Sequence, residues 1–173
     1  MNLTIQVALI ALVTAAAWSD LRSRRIPNWI TAPGAILGFA LQVWYGGLHG
    51  ALASVAGAGL GLGIFILLYI AGGMGAGDVK LFSAVGAIVG PQALIPMFVS
   101  TALLGGIAAA VLAASRGRLR ETLGKTANLL LGFGRLRWQE VRKASAAAGS
   151  DALRLPYGAV IAGGTLLSLV ILR

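Results

Sequence analysis

No cysteine occurs anywhere in the 173 residues. Disulfides, thiolate metal sites and a cysteine nucleophile are therefore excluded. Charge is scarce: only 11% of residues are Asp, Glu, Lys or Arg, against about 25% in a soluble domain. Acid is scarcest, with five Asp and Glu against 14 Lys and Arg. One histidine, His49, is present; it falls in a turn and reads as a surface residue, which disfavours a metal site. What the chain has instead is apolar length: 58% of it is hydrophobic and its mean hydropathy is +0.87. That composition describes an integral membrane protein whose length fits one compact bundle. The net charge of +9 then reads as the usual gathering of Lys and Arg in cytoplasmic loops, and nucleic-acid binding is not expected.

The expected fold is all-α, a polytopic bundle of about six transmembrane helices, each needing about 20 apolar residues. The first runs from about Leu3 to Ser19. It has no Lys or Arg before Arg22 and so reads as a retained span, although Ala15-Ala16-Ala17 resembles a signal cleavage site. The turn "DLRSRRIPN" follows, with Pro27 ending any helix. Helices two and three cover about Trp29 to Tyr45 and Ala51 to Ala71, separated by "GGLHG". Gly72 to Gly77 is too glycine-rich to hold a helix. Helix four begins near Asp78 and stops before Gly90-Pro91. Its Val79 to Val89 core is roughly 16 Å long at 1.5 Å per residue, too short for about 30 Å of hydrocarbon. Helices five and six run from about Ala93 to Ala114 and Leu155 to Leu172.

With six helices, Arg22 to Arg25, Lys80 and the basic segment from Ser115 to Arg154 all fall on one side, which the positive-inside bias makes cytoplasmic. Residues 1–173 then form a single integral-membrane domain with a basic cytoplasmic loop at about 115–154, read either as an interfacial helix or as a solvated loop. Trp18, Trp29, Trp44, Tyr45 and Tyr69 fall near helix ends, at headgroup level. Gly57 with Gly61, Gly59 with Gly63, Gly105 with Gly106, and Gly163 with Gly164 mark faces for close helix packing.

Glu121, Glu140 and Asp151 lie among the loop cations, where counter-charges are expected. Asp20 and Asp78 lie at the edges of apolar helices, where a carboxylate is expensive and functional by default. The topology puts both on one side. Two carboxylates sharing a site can share one proton, so that one activates water and the other donates to a carbonyl. The plainer alternative is that each is a helix terminator, with Asp78 as an N-cap. The glycines before Asp78 do not form a Walker A loop, because Gly77 is followed by Asp78-Val79. Nor is a dinucleotide fingerprint present, since Asp78 stands where the sixth-position glycine belongs.

These residues carry a resemblance. "GAGD", Gly75 to Asp78, resembles the GxGD signature of intramembrane aspartyl proteases. Asp20 with "LRSRRIPN" resembles the first-aspartate motif of the type IV prepilin peptidase family. Lys80 matches the family's GDxK continuation, and "LPYGAVIAG" from Leu155 to Gly163 is similar to its C-terminal Pro-aromatic-Gly motif. Presenilin-like proteases share GxGD, but place a Tyr before the first aspartate where this chain has Ser19. The resemblance implies an aspartic endopeptidase that removes the basic leader of prepilins at the cytoplasmic face of the bacterial inner membrane. It implies Asp20 and Asp78 as the catalytic pair, and Gly75, Gly77, Lys80, Pro156, Tyr157 and Gly158 as substrate-positioning residues. No cofactor or metal is implied. The partners implied are prepilins, the lipid membrane and the pilus assembly machinery. Large members carry a four-cysteine domain before the first helix. A Cys-free chain that starts at that helix resembles the short, peptidase-only branch serving Flp-type pili.

Gly75 and Gly77, having no Cβ, permit unusual backbone angles and close approach, so that an extended substrate could lie against them beside Asp78. Helix-end electrostatics point to Asp78 as the ionised base and Asp20 as the protonated partner, while Arg22, Arg24 and Arg25 push Asp20 the other way. The rival expectation is a transport or assembly protein using the two carboxylates for ions or protons.

Overall fold

The computed structural model describes residues 2–70, 74–115 and 156–171. They form four helices: α1 (Leu3–Ser23), α2 (Asn28–Ile70), α3 (Ala76–Ser115) and α4 (Tyr157–Ile171). No strand occurs among the described residues. Helices α1, α2 and, as far as Leu112, α3 are long and apolar enough to cross a membrane, and α4 is a shorter apolar helix. Large apolar side chains such as Val7, Ile36, Leu52 and Leu103 point outward, as they do when lipid replaces water around a bundle. The expected basic segment with Glu121, Glu140 and Asp151 lies outside the described residues.

The four helices differ from the expected six separate ones. Helices α2 and α3 each take in two expected helices, because helical turns continue right up to a single glycine with non-helical angles, Gly47 (φ 55°) in α2 and Gly90 (φ 76°) in α3. A side chain is disfavoured at such positive φ, and glycine removes the penalty. The bends are sharp. Around Gly47 the backbone of Gln42 lies against Gly50. Around Gly90 the rings of Phe82 and Phe98 come within 6.2 Å, although a straight helix would separate them by roughly 24 Å.

The bend at Gly90 strands two backbone carbonyls. Ala87 C=O would be paired four residues on by an N–H that Pro91 lacks. Ser54 Oγ donates to it at 2.8 Å, and Gln42 Nε2 donates to Ile88 C=O at 2.7 Å. Both donors come from α2, one from each side of its bend. The backbones also meet, since a Cβ on Gly57 would collide with Gly86 C=O and a Cβ on Gly61 would come 2.7 Å from Phe82 C=O. Gly59 and Gly63, expected to pack likewise, have nothing within 4 Å where a Cβ would stand, so only one of the two glycine stripes is an interface. On the other side Gly164 of α4 lies against Thr101 of α3, and Gly163 near Leu104.

The segment of α3 before Gly90 is thus the centre of the molecule. Leu81, Phe82, Val85 and Ile88 are fully buried, and Phe82 stacks on Phe65 of α2 at 4.1 Å. The helix that looked too short to span lipid is surrounded by protein, and Asp78 opens it.

Candidate active site

Helix α1 does not stop at Ser19. It runs a further turn to Ser23, so Asp20 sits in its last turn, on the buried stripe with Leu9, Val13 and Ala16. The helix closes at Arg24, which takes left-handed angles (φ 51°) and donates its N–H to Asp20 C=O at 2.7 Å. A non-glycine residue pays about 1 kcal/mol or more for that conformation. Ser19 Oγ and Ser23 Oγ hold the turn by donating to Arg25 C=O at 2.9 and 3.3 Å. The chain then turns inward, Ile26 is buried, and Pro27 C=O accepts the Ile30 N–H at the start of α2.

Asp78 is not the N-cap of its helix. Helix α3 begins at Ala76, which leaves Gly75 at the cap and Asp78 at the third helical position. From there Asp78 Oδ2 accepts the Gly75 N–H at 3.1 Å, the reach-back half of a capping box. Neither Gly75 nor Gly77 has positive φ, so the backbone freedom that glycine permits is not used there. Gly77 instead serves close approach: a Cβ there would lie 3.1 Å from Ile26 Cβ and 3.3 Å from Ile26 C=O.

Asp20 and Asp78 are both buried, with 7% and 8% of their surface exposed, and lie close enough for the charge of one to act on the other. Two elements distant in sequence complete the cluster. Gly158 N–H, in the first turn of α4, donates to Asp20 Oδ2 at 2.8 Å. That N–H is one of the donors a helix start leaves unpaired. A Cβ on Gly158 would come 2.9 Å from Asp20 Cβ and 3.0 Å from Ile26 Cδ1. Tyr157, next to it, is within electrostatic range of Asp78. Pro156 C=O accepts the Ala159 N–H and caps α4.

Each carboxylate therefore has one oxygen held by a backbone N–H at a helix start and a second oxygen with no hydrogen-bond partner among the described residues. Asp20 closes its own helix, but it also meets the N-terminus of α4, where an anion is favoured. No group of three or more His, Cys, Asp or Glu side chains comes together among the described residues.

The chain matches the model of the type IV leader peptidase family over residues 7–110, a stretch that contains both aspartates. It belongs to that family. It is 36% identical over 127 residues to a prepilin leader peptidase/N-methyltransferase of Bacillus subtilis (strain 168), a match covering 66% of this chain and 46% of that protein. It is 34% identical over 119 residues to the like-named protein of Burkholderia pseudomallei (strain 1026b), covering 65% and 38%. The chain thus aligns with less than half the length of the curated relatives it matches. No solved structure matches it.

Of the residues singled out from sequence, Asp20, Asp78, Gly75, Gly77, Tyr157 and Gly158 gather at one end of the bundle. Lys80 stands to one side, its Nζ donating to Asn28 Oδ1 at 3.0 Å. Sequence reasoning missed Ile26 and Asn28. It read "IPN" as a helix stop and as part of the family motif without giving its flanks a role, whereas Ile26 and Asn28 carry the contacts.

Proposed function

We propose that this protein is an aspartic endopeptidase that removes the leader from type IV prepilins of the Flp-like class, at the cytoplasmic face of the bacterial inner membrane. The observation that carries the reading is the convergence of buried Asp20 and Asp78 on one turn, with Ile26 packed against Gly77, the neighbour of Asp78, and against Gly158, whose N–H bonds Asp20, in a chain of the type IV leader peptidase family. The bends at Gly47 and Gly90 support six membrane crossings by one domain, and the positive-inside bias assigns the basic 115–154 segment to the cytoplasm.

The chemistry is hydrolysis by a carboxylic acid and a carboxylate sharing one proton. A water lies between the two free carboxyl oxygens. The ionised member takes a proton from it as its oxygen attacks the carbonyl carbon of the scissile peptide, and the protonated member gives its proton to the carbonyl oxygen. The tetrahedral intermediate collapses as one of its two hydroxyl groups returns a proton to the second carboxylate, the C–N bond breaks, and the leaving nitrogen takes up the proton held by the first carboxyl group, which restores the shared-proton pair. The Gly75 and Gly158 N–H groups are each bonded to a carboxylate oxygen and so keep both side chains in one rotamer throughout. The scissile segment lies extended against the start of α3, where Gly75 presents no side chain, while Tyr157 borders the pair on the α4 side.

Membranes containing the chain, incubated with a Flp-like prepilin, should release a leader peptide and a shortened pilin with one new N-terminus, read by mass spectrometry. Recovery of intact prepilin alone contradicts the proposal. Transport of ions or protons would call for carboxylates spread along a path through the midplane, and Asp20 and Asp78 converge at one end.

A further inference from the structure

Asp20 and Asp78 come from helices that are not neighbours in sequence, so something must set their separation. The element between them is the turn from Arg24 to Asn28. The Ile26 side chain stands against Gly77, one residue before Asp78, and against Gly158, whose N–H holds Asp20. Any rotation of this turn moves Ile26 against both carboxylate-bearing segments at once. The turn is anchored to α1 through Ser19, Ser23 and the Arg24 N–H, and to α2 through Pro27 C=O. Among the described residues, one hydrogen bond ties it across to α3, from Lys80 Nζ to Asn28 Oδ1.

We propose that Asn28 and Lys80 are positioning residues, a tie that clamps the Ile26-Pro27-Asn28 turn onto the first turns of α3 and thereby fixes the gap between the two carboxylates. This rests on the peptidase reading above. Lys80 follows Asp78 by two residues, so on a helix it points to a different face and does not neutralise it. Its partner is a neutral amide. A carboxylate at position 28 would hold Lys80 more strongly, but would add a second negative charge near a pair whose chemistry depends on sharing one proton. Asparagine gives the tie without the charge. Lys80 then acts through the turn, in place of the substrate contact expected from sequence.

The test compares Lys80→Met, Asn28→Ala, the double variant, and the exchange Asn28→Lys with Lys80→Asn, each in membranes with prepilin. A misplaced pair should lower kcat on the order of 10- to 100-fold, with KM within about twofold because substrate binding is untouched. The double variant should be no worse than either single one, since both remove the same bond. The exchange should restore most of kcat. A rise in KM at constant kcat for Lys80→Met, or losses that multiply in the double variant, would overturn the proposal.

A second measurement needs no activity. Cysteines placed by Ile26→Cys and Gly77→Cys in this Cys-free chain would have Cβ atoms 3.1 Å apart, a few tenths of an ångström inside the range of a disulfide, so a small outward shift joins them. They should cross-link readily, and on the order of tenfold more slowly when Lys80→Met is added. An unchanged rate would contradict the clamp. If the parent cleaves no prepilin, the peptidase reading fails, while the cross-linking result still decides the clamp.

Discussion

Two regions of the bundle face the same problem and solve it differently. At Gly90 the chain bends inside the protein and strands carbonyl groups, and side chains of Ser54 and Gln42 satisfy them. At the opposite end, the starts of α3 and α4 strand N–H groups, and Asp78 and Asp20 satisfy one apiece. A hydroxyl or an amide spends itself in such a bond. A carboxylate has a second oxygen, which stays open and can hold a proton. The first region is therefore saturated and structural, and the second is structural and, on the proposed mechanism, reactive as well.

The largest expected effect breaks the reactive region alone. Asp20→Asn and Asp78→Asn keep an oxygen able to accept the backbone N–H but lose the ionisable group. Each should lower leader removal by about 10³-fold or more, because the two act as one unit. Both proteins should still insert, since a neutral side chain costs less near hydrocarbon. Cleavage near the parent rate in either variant would remove the two-aspartate mechanism. Next comes Gly158→Val, which drives a branched side chain into the space of Asp20 and Ile26. A loss of roughly 100-fold is expected from the displaced carboxylate, read as prepilin cleavage per inserted protein. Full activity would show that α4 does not seat Asp20.

The saturated region should respond in stability and not in chemistry. Ser54→Ala leaves Ala87 C=O unpaired and should cost about 1 kcal/mol, measured as a lower unfolding midpoint in detergent, with cleavage per folded molecule unchanged. A specific drop in turnover would erase the distinction between the regions. The smallest effect separates the two glycine stripes of α2. Gly59→Ala meets open space and should shift stability by less than about 0.5 kcal/mol, whereas Gly57→Ala collides with the Gly86 backbone and should cost about 3 kcal/mol. Equal behaviour of the two variants would place the α2–α3 interface elsewhere.

Much of this was legible in sequence because hydrocarbon is an exacting solvent. Long apolar runs identify the helices, and a carboxylate at the end of one is costly enough to announce itself. Asp20 and Asp78 stood out in that way, Gly77 and Gly158 through the family motifs, and all four gather around Ile26 at one end of the bundle. Helix ends were less legible. Glycine bends such as Gly47 interrupt hydrogen bonding for so few residues that composition reads a loop where the helix hardly breaks. Burial in protein was not legible either, since hydropathy alone cannot distinguish a lipid-facing helix from the central one that Phe82 and Val85 occupy. Cross-helix pairs such as Lys80 with Asn28 depend on the fold and leave no mark in local pattern.

The central claim is that Asp20 and Asp78 occupy one site. The most direct measurement replaces both by cysteine, Asp20→Cys with Asp78→Cys, in this chain that has no other thiol. In membranes, a short bifunctional thiol reagent spanning about 5 Å, or mild oxidation to a disulfide, should join them. Mass spectrometry should then recover a single peptide pair linking the end of α1 to the start of α3. Modification of each cysteine separately, with no linked peptide, would mean that the two residues do not share a site.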